Sequence, residues 1–440
     1  MKKTTTSFVC QECGYDSPQW LGKCPECGNW NSLREIRVAE FKPQNSLVAQ
    51  KVNIEPKRLD QIKFQKKQRL LTGFSELDTV LGGGIVKGSA ILLAGDPGIG
   101  KSTLLLQIGL KMATAKEKVL YISAEESEEQ IKLRADRISS KKNSNLFIVS
   151  STNTDLVCEA IQKLNPALVI VDSIQTMESE NVSGLSGSVG QVRYGAFQFI
   201  KLAKTLGIPV VMVGHVTKEG MVAGPMVLSH MVDTLLFLEG EKFTSTRILR
   251  SLKNRFGPVD EIGLFAMEDA GIKELTSPEQ LFLSKESVGA VSGSVLSVTM
   301  EGTRPFLIEI QALVVNSKIP IPRRVASGID YKRLELLLAV LQKHCNIPLS
   351  GMDVFVNVAG GIKLSDPGTD LSICLAIISS FQNIKISNKV GIGEVGLLGE
   401  VRRANSLEKR IKEAQKLGFK DILSSNKFKT LRDVLASLSK

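Results

Sequence analysis

The chain has no apolar stretch of the roughly 18 residues that a membrane-crossing helix needs. Apolar runs such as 167–171 are of strand length. A secretory leader is not expected either. Lys2 and Lys3 supply a charged front, but Cys10, Gln11, Glu12 and Cys13 interrupt the apolar segment that would have to follow. Internal repeats and low-complexity tracts are lacking, which leaves solenoids and fibrous folds aside. Cysteine is sparse and odd in number: of seven, four fall within the first thirty residues, while Cys158, Cys345 and Cys374 are scattered. That distribution excludes a disulfide framework, and the scattered three, in apolar segments, read as core filling. A soluble, cytoplasmic protein is the expectation these absences leave.

At 440 residues the chain exceeds what one hydrophobic core usually serves, so several domains are expected. A hydrophobic content of 43% with 23% charged residues is ordinary for folded protein. The formal charge of +11 favours a polyanionic partner, since clustered Lys and Arg release counterions from a phosphate backbone; charge alone serves solubility equally well.

Four segments follow from patterning. Residues 1–37 hold the cysteine cluster. Residues 38–58, with Pro43, Gln44, Asn45 and Ser46 and little periodicity, read as a linker. Over 59–277, short apolar runs at 90–94, 119–123, 146–149, 168–171 and 210–213 alternate with amphipathic segments. That alternation predicts a parallel sheet covered by helices, an α/β domain. Runs 232–239 and 246–252 have no helix between them and predict an antiparallel hairpin extending the sheet. Residues 278–440 read as α+β, with strands at 293–299, 306–313 and 354–358 and helices at 332–342 and 370–380. A capped helix is predicted from Ser406 to residue 416, with Leu407, Ile411 and Ala414 on its packing face.

Cys10, Cys13, Cys24 and Cys27 form two CxxC pairs, each followed by glycine (Gly14, Gly28). Two thiolates on one tight turn can face one ion, and two such turns complete a closed tetrahedron for Zn²⁺, a rubredoxin-like or zinc-ribbon-type knuckle. With no open position the metal is structural, and so short a segment needs it to fold. Whether the knuckle serves DNA, a partner protein or support alone stays open.

After the run ending at Ala94 comes Gly95-Asp96-Pro97-Gly98-Ile99-Gly100-Lys101-Ser102-Thr103, matching the GxxxxGK[ST] phosphate loop between a strand and a helix. Its glycines bring backbone N–H groups to the phosphates of ATP, Lys101 neutralises them, and the Ser102 hydroxyl serves Mg²⁺. The run 168–171 ends in Asp172, a Walker B strand that sets a carboxylate where it can hold the water shell of Mg²⁺. Glu125 and Glu126 follow another strand, and either can orient and deprotonate the attacking water; an acidic helix start is the competing reading. His215 follows the run 210–214, as a γ-phosphate sensor or an ordinary loop histidine.

Together the CxxC pairs, GDPGIGKST, LVIVDSIQT, VGHVTKEG and Lys253-Asn254-Arg255-Phe256-Gly257 resemble the bacterial RadA (Sms) DNA repair proteins over nearly the whole chain. KNRFG is the specific part, since the Walker motifs fit any RecA-like ATPase. The resemblance implies a RecA-like core assembled as a ring, a homo-hexamer. That ring would move on single-stranded and branched DNA and drive branch migration beside the main recombinase. Carried over by position, Glu125 corresponds to the catalytic glutamate, and Lys253 and Arg255 to the pair coupling ATP hydrolysis to DNA work. Arg255 would reach developing phosphate charge across a subunit boundary. A basic hairpin exit at Gly257 and Pro258 is the plainer reading of that motif.

Residues 278–440 resemble the Lon (S5-type) proteolytic fold, with departures. Thr369 stands where Lon has serine, and Glu408 where it has lysine, with Lys409 adjacent. A hydroxyl without a base is a poor nucleophile, so a non-proteolytic scaffold is expected. Lys318, Arg323, Arg324, Lys332 and Arg333 suggest a cationic channel for DNA, weighed against a solvated surface. Two other classes compete with a DNA motor: a nucleotide-switched repair adaptor without translocation, and an ATP-dependent protease.

Overall fold

The computed structural model describes residues 5–10, 15–26, 28–38, 58, 69–114, 116–139, 145–215, 225–240, 245–275, 291–359 and 363–438. Cys13 and Cys27, nearly all of the expected linker and most of VGHVTKEG lie outside the described residues. Two compact units divide between Glu274 and Leu275.

Near the N-terminus, β1 (Thr5–Cys10) pairs antiparallel with both β2 (Asp16–Ser17) and β3 (Leu33–Val38). The core of this small sheet is Cys10, Cys24 and Leu33, with Phe8, Tyr15 and Leu21 packed on it. So few apolar side chains do not offset the entropy of ordering the chain.

The main sheet has nine strands. After β4 (Arg69–Leu70), α1 (Ser75–Val80) and β5 (Ile85–Val86), its strands and helices alternate. They are β6 (Ala90–Gly95), α2 (Lys101–Met112), β7 (Val119–Ser123), α3 (Glu128–Ile138), β8 (Leu146–Ser150), α4 (Thr154–Leu164), β9 (Leu168–Asp172), α5 (Val189–Leu206), β10 (Val210–His215) and α6 (Pro225–Ser229). There follow β11 (Thr234–Glu239), β12 (Thr246–Asn254), β13 (Ile262–Glu268) and β14 (Gly271–Glu274). The order is β14-β13-β12-β11-β6-β10-β9-β7-β8. The six strands from β11 to β8 run parallel, and β12 turns back antiparallel on β11.

Every residue of β6, β7 and β9 is buried, as expected of strands covered on both faces. Alternation divides them between two cores. Ile91, Leu93, Tyr121, Ile170 and Val213 face one, while Leu92, Ala94, Ile122, Val171 and Met212 face the other. All chain ends that carry site residues after β6, β7, β9 and β10 therefore emerge at one edge of the sheet.

The second unit holds β15 (Ser294–Glu301), β16 (Arg304–Asn316), β17 (Arg324–Ser327), α7 (Tyr331–Cys345), β18 (Met352–Val358) and α8 (Asp370–Gln382). It continues with β19 (Lys389–Ile392), β20 (Glu394–Val395), β21 (Val401–Arg402), α9 (Leu407–Lys416), β22 (Asp421–Ser424) and α10 (Leu431–Leu438). A six-stranded mixed sheet, β17-β18-β16-β15-β19-β22, forms its centre. The helix α8 is apolar on nearly all sides and buried from Asp370 to Ser379, so it is a central element rather than a surface one. In α9, Leu407 and Ala414 are buried and Ile411 packs beside them. Ser406 does not cap α9 as expected: its backbone is left-handed at φ 53° and its side chain makes no cap bond. The backbone before the helix is tied instead by Arg410, whose Nε donates to the Asn405 carbonyl at 2.8 Å.

Candidate nucleotide and metal sites

The phosphate loop leaves the C-terminal end of β6 and enters α2 through Gly100, at φ +112°. That helix begins with no side-chain cap and no acidic residue in its first turn. Its free N–H groups and the positive end of its dipole are left for an anion. Two of its glycines are required by their backbone conformation. At Gly98 nothing lies within 4 Å and the left-handed φ of +77° alone demands glycine; at Gly100 the φ of +112° demands it as well, and a Cβ would also crowd Met267 Cε at 2.4 Å and Ile272 Cδ1 at 3.1 Å. Lys101 is 3% exposed and folds back over the loop, its Nζ donating to the carbonyls of Gly95 at 2.8 Å and Asp96 at 3.0 Å. Burial lowers its pKa, with Asp172, Asp96 and Glu125 opposing. A phosphate would replace those neutral carbonyls with charge, so this donor set fits ATP.

Asp172 ends β9, in register with Ser123 at the end of β7, and His215 ends β10 beside Gly95 of β6. The structure thus brings Lys101, Asp172, Glu125 and His215 to one sheet edge, and it separates the two adjacent glutamates. Glu125 accepts a hydrogen bond from Ser173 Oγ at 2.6 Å and stands 3.6 Å from His215 Nε2. His215 and then Ser173 hold its carboxyl down at about 2. Glu126 turns away to pair with Arg134 at 2.8 Å. Among the described residues, His215 Nδ1 and Gln175 Oε1 are buried without a hydrogen-bond partner. Sequence reading missed Ser173, Gln175, Tyr121 and Arg134 here. Ser173 and Gln175 stand within LVIVDSIQT but have no role that the motif alone assigns, while Tyr121 and Arg134 stand in no motif and only the fold brings them to this edge.

KNRFG lies elsewhere. Asn254 pairs with Thr234, which in turn pairs with Ile91, the second residue of β6, so the motif sits at the edge opposite the phosphate loop. Four residues of strand, about 13 Å, separate Ile91 from Gly95. Within one chain Lys253 and Arg255 are therefore not part of the nucleotide site that sequence reading grouped them with, because β12 runs back down the sheet. Lys253 Nζ donates to the Ser229 carbonyl at 2.6 Å, and Arg255 Nη1 meets the buried Asp233 at 3.1 Å while its side chain is half exposed. Arg69 donates to the Phe256 carbonyl at 2.6 Å. Gly257 abuts Gly82: a Cβ there would meet Gly82 Cα and the Leu81 carbonyl, both at 3.1 Å.

At the N-terminal sheet, Cys10 N–H donates to the Tyr15 carbonyl at 2.8 Å and Cys24 N–H to the Asn29 carbonyl at 2.9 Å. Each bond joins the first cysteine of a CxxC pair to the residue five positions on. Cys10 and Cys24 are both buried in one small cluster. Two buried thiols in one cluster, each on the first cysteine of a CxxC pair and each anchored by the same backbone bond, fit a tetrahedral metal.

In the second unit Thr369 is buried, and its hydroxyl donates to the Asp366 carbonyl at 2.9 Å. Glu408 and Lys409 are both exposed, Glu408 pairing with Arg403. The buried cation nearby is Arg410, which donates to Asp366 at 2.5 Å and to the Val298 carbonyl at 2.6 Å. Arg333 grips buried Asp370. Both cations are committed beside a cavity of about 260 Å³ lined by Asp330, Arg333, Asp366, Thr369 and Asp370. Arg324 is likewise tied to the Met352 and Leu349 carbonyls, so two of the five basic residues expected to face DNA are structural. The thiol of Cys374 is buried, and burial pushes that of Cys158 up to about 12, the behaviour of core residues.

Comparison with known proteins supplies the context. Residues 55–221 match the AAA domain family and residues 8–35 the rubredoxin metal binding domain family. The chain is 47% identical to the DNA repair protein RadA of Bacillus subtilis, over 96% of this chain and 93% of that one. It is 46% identical to the RadA of Halalkalibacterium halodurans, covering 97% and 94%, and 45% identical to that of Listeria monocytogenes, covering 96% and 92%.

Proposed function

The chain belongs to the RadA family of DNA repair proteins, and we propose that it is a DNA-dependent ATPase driving branch migration of recombination intermediates on single-stranded and branched DNA. A RecA-like ATPase core and a zinc-ribbon-type domain are its family's equipment. One observation carries the reading beyond an ATPase: the nucleotide-binding residues and KNRFG occupy opposite edges of one sheet.

At the nucleotide edge, the uncapped start of α2 and Lys101 bind the phosphates. The Ser102 hydroxyl and the Asp172 carboxylate would hold Mg²⁺, which would supply charge neutralisation for the phosphates. Glu125, ionised and anchored by Ser173 and His215, orients the attacking water. Arg255 is half exposed and too far from its own phosphate loop, so it acts on the nucleotide of the next subunit in a head-to-tail ring. Lys253 shares that edge and couples the subunit contact to hydrolysis. Zn²⁺ held by Cys10, Cys13, Cys24 and Cys27 gives the N-terminal segment the cross-link its small core lacks.

The second unit is a scaffold and not a peptidase. Thr369 gives its proton to a carbonyl, and the carboxylates of Asp366 and Asp370 are taken up by Arg410 and Arg333, so among the described residues no free amine base stands ready to activate its hydroxyl. Lys318 and Lys332, with Arg323 held only by a long 3.9 Å pairing to Asp353, remain for DNA phosphates. ATP hydrolysis measured with and without single-stranded DNA tests the assignment. Stimulation by DNA and its loss in Lys101→Ala support it; hydrolysis indifferent to DNA refutes it.

A further inference from the structure

Asp172 is 6% exposed, and a carboxylate so buried is fixed by whatever it touches. Its Oδ2 accepts the hydroxyl of Tyr121, the middle residue of β7, at 2.5 Å. Among the described residues, Oδ1 has no hydrogen-bond partner. Arg134 of α3 approaches the same hydroxyl oxygen with Nη2 at 3.3 Å and binds Glu126 with both nitrogens, at 2.8 and 3.1 Å. The result is a chain, Glu126–Arg134–Tyr121–Asp172, that begins one residue from Glu125 and ends at the Walker B carboxylate. Arg134 obliges the hydroxyl to point its proton at Asp172, since a guanidinium can only donate. Tyr121 itself is wholly buried among apolar neighbours of one core, a costly place for a hydroxyl without such partners.

We propose that Tyr121 and Arg134 are positioning residues that clamp one oxygen of Asp172 and leave the other aimed at the metal, coupling its placement to the strand end that carries Glu125. The inference rests on the proposed role of Asp172 at Mg²⁺. A pairing that merely satisfied a buried hydroxyl would contribute to stability and leave metal dependence untouched.

The test uses the full-length protein and a non-hydrolysable ATP analogue, with nucleotide binding followed by calorimetry as Mg²⁺ is titrated. Tyr121→Phe keeps the ring and removes only the hydroxyl. Its half-saturating Mg²⁺ concentration is expected to rise about tenfold, the lower end of what one hydrogen bond to a charged group is worth. Binding of the analogue in excess chelator should be unchanged. Arg134→Gln, at a partly exposed helix position, is the second variant, expected to shift in the same direction by a few fold. Its value does not depend on Tyr121→Phe folding. Asp172→Asn separates the two levels of the argument. If it alters Mg²⁺ dependence while both other variants match the wild type, the clamp is wrong and the site reading stands. If Asp172→Asn also matches the wild type, both fall.

Discussion

Replacing Arg255 by alanine should leave each subunit able to bind ATP and unable to hydrolyse it. The motif lies about 13 Å along β6 from the phosphate loop, and its arginine rests on Asp233 at the far edge, so nucleotide affinity should not change. Loss of an arginine acting on the transferred phosphate costs about 10³-fold or more in turnover. Lys101→Ala should be equally inactive, for a different reason, since it lacks the buried cation of the loop itself. If Arg255 serves the neighbour's nucleotide, the two defects complement. In a randomly mixed head-to-tail assembly of equal parts, a working site needs an intact Lys101 beside an intact Arg255. Such sites should make up about a quarter of all sites, so the mixture should recover up to about a quarter of wild-type hydrolysis. The assay is phosphate release after the two inactive proteins are dissociated, mixed and reassembled. A mixture as inactive as its parents refutes action across the boundary, as does an Arg255→Ala protein that cannot bind ATP.

Three further outcomes follow from the geometry. His215→Gln removes the main influence that keeps the Glu125 carboxyl at about 2. The acid limb of the hydrolysis profile should then move up toward the ordinary carboxyl value of about 4.3, so at pH 4 the variant loses roughly half its activity while the wild type keeps it; superimposable profiles would show that His215 does not govern Glu125. Cys24→Ser should abolish bound zinc and leave the N-terminal segment open to proteolysis, read by metal analysis and limited digestion, and full zinc content would contradict the four-cysteine site. Gly257→Ala forces a methyl against Gly82 and Leu81, and chemical denaturation should show a loss of about 1–3 kcal/mol; wild-type stability would mean that the two loops are not packed as described.

How far these features could be read beforehand depended on how local they are. The strands β6, β7 and β9 are buried along their whole length because both sheet faces are covered, and 90–94 or 168–171 announce that without context. The phosphate loop is nine consecutive residues. By contrast, the residues alone left Glu125 and Glu126 open and only the resemblance picked Glu125; the physical distinction comes from Ser173, His215 and Arg134, which are distant in sequence. KNRFG was legible as a motif but not as a place, since only the reversal of β12 sets it at the far edge. The buried Arg410 was passed over in favour of exposed Glu408 and Lys409, because register within α9 is decided by its contacts with Asp366 and Val298. Ser406 had the sequence of a cap and took another conformation for the same reason.

The central claim is that hydrolysis at residues 95–103 drives movement on branched DNA. It is tested most directly by following a labelled strand released from a three-way DNA junction in the presence of ATP. The wild type should release the strand, and Lys101→Ala and Arg255→Ala should not. Release that persists in both variants, or a wild type that hydrolyses ATP and never displaces the strand, would contradict the account and favour a nucleotide-switched adaptor.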